Sequence, residues 1–260
     1  MMKEKILSSI REIESQENAV IFYACESGSR AWGFPSRDSD YDVRFLYLRP
    51  IDWYLSIEEK RDVIERPIND QLDVSGWDLK KALELFRKSN PPLLEWLDSP
   101  IIYQEKFSIA SQMRELAKTY YSPSACVYHY LHMAQGNSQN YIKGDRVWRK
   151  KYFYILRPIL AIKWIEQGYG VAPTSFGVLL EQIIPSGELK DRINELIELK
   201  SKGDELDYGD RIPAISDFIA AELSRLEEDQ KQYKNNPAPT AVLDELFRNA
   251  LREIWNIGYF

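Results

Sequence analysis

Cysteine and histidine are both scarce, with two of each in 260 residues: Cys25 and Cys126, His129 and His132. Two thiols cannot build a disulfide framework, and their rarity points to a reducing, cytoplasmic setting. Cys126, His129 and His132 fall on one helix face at spacings of three, but zinc needs a fourth ligand and the sequence supplies none. The Gly-x-Ser-x-Gly and Cys/His patterns of hydrolases are missing, as is the Gly-x-x-x-x-Gly-Lys-[Ser/Thr] of a P-loop. No run approaches 18 consecutive apolar residues, so no membrane span and no membrane partner are expected. The opening Met1-Met2-Lys3-Glu4-Lys5-Ile6 lacks the apolar core of a signal peptide. Internal repeats, heptads and low-complexity tracts are absent too. Positive charge is also short, and a formal net charge of −6 argues against a protein that coats nucleic acid.

What is present is a globular composition, 44% apolar and 28% charged, long enough for two domains. The first hundred residues mix strand and helix signals. Residues 3–16 carry Ile6, Leu7, Ile10 and Ile13 at helical spacing, and 19–25 form a short apolar run that suits a buried strand. A brief helix is expected around Arg30–Trp32 and a second strand over 41–48. A short helix or irregular link fits 51–59. Strands are expected over 61–66 and 70–75, joined by Pro67-Ile68-Asn69, a turn sequence. Ser75 or Asp78 can cap a helix running to about Lys88, which Asn90-Pro91-Pro92 stops. A short helix (Leu93–Leu97) and a short strand (Ile101–Tyr103) follow.

From residue 107 the pattern becomes helix after helix: 108–120, 124–142, 146–167, 175–184, 187–200, 213–234 and 240–256. The expected fold class is therefore α+β. A small mixed sheet domain with flanking helices spans 1–106, and an all-helical C-terminal domain spans 107–260.

The chemistry gathers between residues 26 and 43. Asp40 and Asp42 stand at i and i+2, where strand alternation puts both carboxylates on one face. Like charges so close repel unless they share a cation, and Mg²⁺ takes such oxygen ligands. Asp73, between Leu72 and Val74, offers a third carboxylate from a neighbouring strand. Three acids from two strands suit a two-metal displacement at phosphorus, with two Mg²⁺ ions, or Mn²⁺ in their place, as the cofactor. Gly28-Ser29 turns tightly ahead of the short helix and can offer backbone amides and a hydroxyl to phosphate oxygens. Arg30 either adds charge there or points to solvent. A lone Gly-Ser is most often only a turn, and a lone Asp-x-Asp most often a loop or strand end. The joint spacing is far more specific.

That joint pattern, Gly-Ser, ten residues, Asp-Tyr-Asp-Val and a later Leu-Asp-Val, resembles the nucleotidyltransferase superfamily of DNA polymerase β type. The match narrows at Gly28-Ser29-Arg30-Ala31-Trp32-Gly33, Ser39-Asp40-Tyr41-Asp42-Val43-Arg44, Leu72-Asp73-Val74-Ser75-Gly76-Trp77 and Lys88-Ser89-Asn90-Pro91-Pro92-Leu93-Leu94-Glu95-Trp96. These segments look like the RlaP-type predicted nucleotidyltransferases linked to RNA repair, and the similarity continues at Lys150-Lys151-Tyr152-Phe153-Tyr154. The resemblance implies transfer of a nucleoside monophosphate from an NTP, with release of pyrophosphate. Asp40, Asp42 and Asp73 would be the catalytic acids and metal ligands; all three are aspartate here.

In relatives of this kind a helical domain closes the nucleotide cleft. Lys150, Tyr154 and Arg157 recur at i, i+4 and i+7, with Lys151 beside Tyr154, so a cation over the triphosphate and an aromatic against the base would come from this helix. The bland alternative is a solvated basic face with tyrosines packed inward. Residues 143–163 hold Lys143, Arg146, Arg149, Lys150, Lys151, Arg157 and Lys163 against Asp145 alone, which with the resemblance favours an RNA 3′ end as acceptor. The low net charge instead favours a protein hydroxyl, as in nucleotidylating antitoxins. A small-molecule acceptor comes third, and a non-catalytic nucleotide sensor is the alternative from a different class.

Overall fold

The computed structural model describes residues 2–36, 38–67, 72–203, 208–229 and 239–256. They form two compact units, one drawn from 1–31, 40–121 and 237–260, the other from 32–39 and 122–236. The fold class is α+β, with a five-stranded mixed sheet in the first unit and mainly helices in the second.

In the first unit, α1 (Met2–Glu17) buries Ile6, Ile10 and Ile13, the stripe that its periodicity predicts. Then come β1 (Val20–Glu26), the one-turn α2 (Gly28–Trp32), β2 (Tyr41–Leu48), α3 (Ile51–Tyr54), β3 (Val63–Glu65) and β4 (Leu72–Asp78). Helices α4 (Leu79–Arg87) and α5 (Pro91–Leu97), strand β5 (Ile102–Glu105) and helix α6 (Ile109–Tyr120) follow. The sheet order is β3-β4-β2-β1-β5. Only β2 and β4 run parallel; β1 pairs antiparallel with both β2 and β5, and β3 with β4. The inward residues Ile21, Ala24, Val43, Phe45, Tyr47 and Val74 form one core with the isoleucines of α1. Burial of these side chains, at roughly 25 cal/mol per Å² of apolar surface, is what holds helix to sheet.

The choice of cap for α4 resolves clearly. Asp78, not Ser75, caps α4, its carboxylate accepting from Lys80 N at 2.8 Å. Asn90 caps α5 by accepting from Leu93 N at 3.2 Å, with proline just inside the helix where no amide donor is needed. The turn expected at Pro67-Ile68-Asn69 reaches Ile68 and Asn69, which lie outside the described residues.

The second unit holds α7 (Pro123–Tyr141), β6 (Arg146–Trp148), α8 (Lys151–Glu166), α9 (Phe176–Ile183), α10 (Glu188–Lys202), β7 (Tyr208–Asp210) and α11 (Pro213–Asp229). Helix α8 is buried nearly all round, from Tyr152 and Phe153 through the unbroken run Ile155–Ile162 to Ile165. One expectation fails here. Residues 146–148 do not continue α8 but pair antiparallel with 208–210, matching Val147 to Gly209. Val147 is fully buried by that pairing. A partner some sixty residues away decides the conformation, and local periodicity carries no trace of it.

The last helix, α12 (Ala241–Trp255), belongs to the first unit and packs against α4. Leu243, Leu246, Ala250 and Leu251 form its buried face. The Phe247 ring meets Tyr54 edge-on at 5.0 Å, and Glu253 accepts from both the amide and the hydroxyl of Ser108. Among the described residues no helix is long and apolar enough to cross a membrane.

Candidate active site

β1 ends on Glu26, a fully buried carboxylate whose Oε1 accepts from the backbone amide of Asp42 at 2.8 Å. The hydroxyl of Tyr103 donates to its other oxygen. Burial raises this carboxyl to about 6, against those two hydrogen bonds, which favour the ionised form. One residue on, the amide of Ser27 donates to Asp42 O at 2.8 Å. The end of β1 is thus stitched to the start of β2 before the Gly-Ser turn begins.

Gly28 has φ +58°, and a β-carbon there would overlap the Asp42 carboxylate. Both facts demand glycine: an L side chain is strained at that φ, and no room exists for one. The turn therefore lies directly on the Asp42 side chain, and α2 starts there with Gly28 followed by Ser29.

Parallel pairing of β2 with β4 aligns Asp42 with Asp73 across the sheet. Arg44, two residues along β2 and so on the face of Asp42, lies between them. Its Nη2 donates to Asp73 Oδ2 at 2.7 Å and to Asp42 Oδ1 at 3.4 Å. Its Nη1 donates to the carbonyls of Val43 at 3.1 Å and Asp73 at 3.2 Å. One guanidinium thus offsets part of the charge of two carboxylates that would otherwise repel. Asp42 and Asp73 remain 28% exposed, open to a ligand from solvent.

Asp40 lies just ahead of the paired residues of β2 and β4. It is exposed and precedes β2, which begins at Tyr41, so strand alternation does not dictate its direction. Arg30 folds over this entrance, its Nε donating to Asp40 O at 3.2 Å and its guanidinium lying 3.7 Å from the centre of the Tyr41 ring.

A divalent metal is implied by this class of site, and part of the donor set fits one. Asp42 and Asp73 already close on a cation, the guanidinium of Arg44, and offer the oxygens that Mg²⁺ takes. Among the described residues, no group of three or more Asp, Glu, His or Cys side chains is gathered tightly enough to hold a metal.

The remaining residues expected to bind nucleotide lie in the second unit. Lys150, at the start of α8, is exposed. The Lys151 ammonium lies 4.4 Å from the ring centre of Tyr141 and 4.6 Å from that of Tyr154. Tyr154 in turn meets Trp32 edge-on at 5.3 Å. Arg157 is 2% exposed, its Nη2 donating to the carbonyls of Pro173 and Thr174 at 3.4 Å. A common helix face thus grades from solvent at Lys150 to the core at Arg157.

Three residues escape the sequence-level argument: Glu26, Arg44 and Phe34. Arg44 sits at the alternate position from Asp42, so its face was legible, but its bridge to β4 required the strand order. Phe34 lies in the loop between the Gly-Ser turn and Asp40, yet it is 3% exposed, with ring centres 4.6 Å from Phe153 and 5.2 Å from Phe176. The only local hint was two large aromatics, Trp32 and Phe34, in a stretch otherwise rich in turn formers.

A Gly-Ser turn lying on one aspartate, itself aligned with a second across a parallel strand pair in a mixed sheet, is the arrangement of DNA polymerase β-type nucleotidyltransferases. The chain belongs to the RlaP family, the RNA repair pathway DNA polymerase beta family, whose model matches residues 2–249. It is 49% identical over 258 residues to YcgL of Bacillus subtilis (strain 168), an uncharacterized protein, with 99% of each chain covered. Among solved structures it is similar to a nucleotidyltransferase-like protein from Exiguobacterium sibiricum 255-15. That likeness is 11% identical, covers 98% of this chain and 89% of the other, and has a TM-score of 0.28, too loose to carry an argument.

Proposed function

We propose that the protein transfers a nucleoside monophosphate from an NTP to an acceptor hydroxyl and releases pyrophosphate. The observation that carries this reading is the alignment of Asp42 with Asp73 beneath a glycine turn that has no room for a side chain. Gly28 and Ser29 would offer amide and hydroxyl donors to the β- and γ-phosphates. The acceptor oxygen attacks the α-phosphorus, the bond to the β-phosphate bridging oxygen breaks, and the electron pair leaves with pyrophosphate. Asp73 would be either the third metal ligand or the base that receives the acceptor proton. Asp42 and Asp73, joined by Asp40 from its loop, would hold the divalent ions, Mg²⁺ or Mn²⁺, which supply charge neutralisation and a more acidic acceptor hydroxyl.

An RNA 3′ end is the favoured acceptor. The family description names RNA repair, and the basic segment 143–163 suits a polyanion. A protein hydroxyl is the second reading, supported by the net charge of −6. The test is incubation with each labelled NTP, Mg²⁺ and either RNA or a protein lysate, alongside Asp42→Asn and Asp73→Asn. Covalent label in RNA, lost in both variants, is the expected result. Undiminished labelling in both variants would overturn the mechanism, and label in protein alone would move the acceptor to the second reading.

A further inference from the structure

The geometry points to Arg44 as a built-in counter-cation that competes with a divalent metal for Asp42 and Asp73. This rests on the reading that the two aspartates hold metal. One guanidinium edge spans both carboxylates, at 3.4 and 2.7 Å, while the other is tied to the carbonyls of Val43 and Asp73. The contact to Asp73 has the length of a charge-assisted hydrogen bond, and the group carrying it is only 18% exposed. Such a pair is not a loose surface bridge.

The charge balance makes the competition physical. With Arg44 in place, two carboxylates and one guanidinium leave one net negative charge, which keeps the strand ends together without metal. A divalent ion between the same oxygens neutralises them fully, so a guanidinium held against them is then in surplus and repelled. Nη2 must give up Asp73 as the metal arrives. Nη1 keeps its two carbonyl acceptors, so the side chain need not leave the sheet. Arg44 is thus a positioning residue: it holds the aspartates in register while the metal is absent and sets the concentration at which metal enters.

The test is direct titration of the full chain with Mn²⁺, read by electron paramagnetic resonance of the free ion, for wild type, Arg44→Gln and Arg44→Lys. Thermal midpoints are taken in chelator and in saturating Mn²⁺. Asp42→Asn gives the background. Arg44→Gln should bind Mn²⁺ about tenfold more tightly than wild type, because competing pair and like charge go together. It should melt lower in chelator and regain more on adding Mn²⁺. Arg44→Lys should fall between, since an ammonium cannot engage both carboxylates and both carbonyls as the planar fork does; it also serves if the glutamine variant does not fold. Equal or weaker Mn²⁺ binding by the folded variants overturns the inference alone. Absence of specific binding in wild type and both Arg44 variants overturns it together with the metal reading beneath it.

Discussion

Gly28 and Asp42 are so close that a β-carbon on the first would overlap the carboxylate of the second. The contact joins the two halves of the nucleotidyltransferase signature, which lie fourteen residues apart in sequence, without any side chain from the turn. Gly28→Ala should therefore displace the Asp42 carboxylate and strain a backbone held at φ +58°. The stability cost should be modest, about 1 kcal/mol from the left-handed conformation. The catalytic cost should be much larger, about a hundredfold in pyrophosphate release, because a shift of about 1 Å at a catalytic group is enough. Circular dichroism melts and a coupled pyrophosphate assay separate the two. A folded Gly28→Ala with near wild-type turnover would show that this contact does not set the position of Asp42.

Phe34 should matter for stability more than its place in a loop suggests. The segment Trp32–Ser39 belongs to the second compact unit although the residues on both sides of it belong to the first. Phe34 packs into an aromatic cluster with Phe153 and Phe176, and the Lys200 ammonium lies 4.6 Å from its ring centre. Phe34→Ala should cost about 3–5 kcal/mol, the range for removing a fully buried aromatic ring. It should also slow nucleotide transfer, because this segment carries the chain from the Gly-Ser turn to Asp40 and Asp42. Urea denaturation of Phe34→Ala and Phe34→Leu measures the first effect, the leucine variant losing less. A loss under about 1 kcal/mol for the alanine would mean the ring is not a core element.

What the sequence discloses and what it conceals divide along physical lines. Gly28, Asp42 and Asp73 are legible because each obeys a short-range rule: a turn needs glycine, a strand alternates, and an acid between apolar neighbours stands out. The stripe of α1 and the Asp78 cap, one of two candidates, follow for the same reason. The bridge from Arg44 to Asp73 depends on β4 lying beside β2, a tertiary fact. The pairing of 146–148 with 208–210 and the return of α12 to the sheet unit are likewise contacts between distant segments. Arg157 shows the limit most sharply. Its spacing from Lys150 places it on a common face, but only the packing of α8 shows that this face runs from solvent into the core.

Both cysteines should be inert in the folded protein. Cys25 lies near the end of β1 with no exposure, and burial pushes its thiol up to about 12. Cys126 on α7 is 1% exposed. The thiolate is the reactive form, so neither the ionised fraction nor access favours attack. A disulfide reagent should find no fast-reacting thiol in native protein and two per chain in denaturant. Rapid labelling of either one under native conditions would contradict the buried placement.

The link between α1 and the end of β2 should give stability a defined pH dependence. Arg49, 6% exposed, donates through Nη2 to Glu17 Oε2 at 3.0 Å and through Nη1 to the Glu17 main-chain carbonyl. Arg66 Nη1 lies 3.1 Å from Glu17 Oε1. The hydrogen bond from Arg49, with the charge of Arg66 beside it, holds this carboxyl below its usual 4.5 against the opposing effect of burial. A carboxyl with a depressed folded-state pKa stabilises the fold above its unfolded pKa, and the contribution is lost as pH falls through the folded value. Glu17→Gln should thus destabilise the protein at neutral pH by on the order of 1 kcal/mol, modest because the pair is partly exposed. The main-chain contact from Arg49 survives the substitution, so the geometry is kept while the charge goes. Urea midpoints of wild type and Glu17→Gln should differ at about pH 7 and converge as pH falls through the depressed folded-state value, where the native carboxylate takes up its proton. A gap that stayed constant over that range would assign the loss to packing rather than to the ion pair.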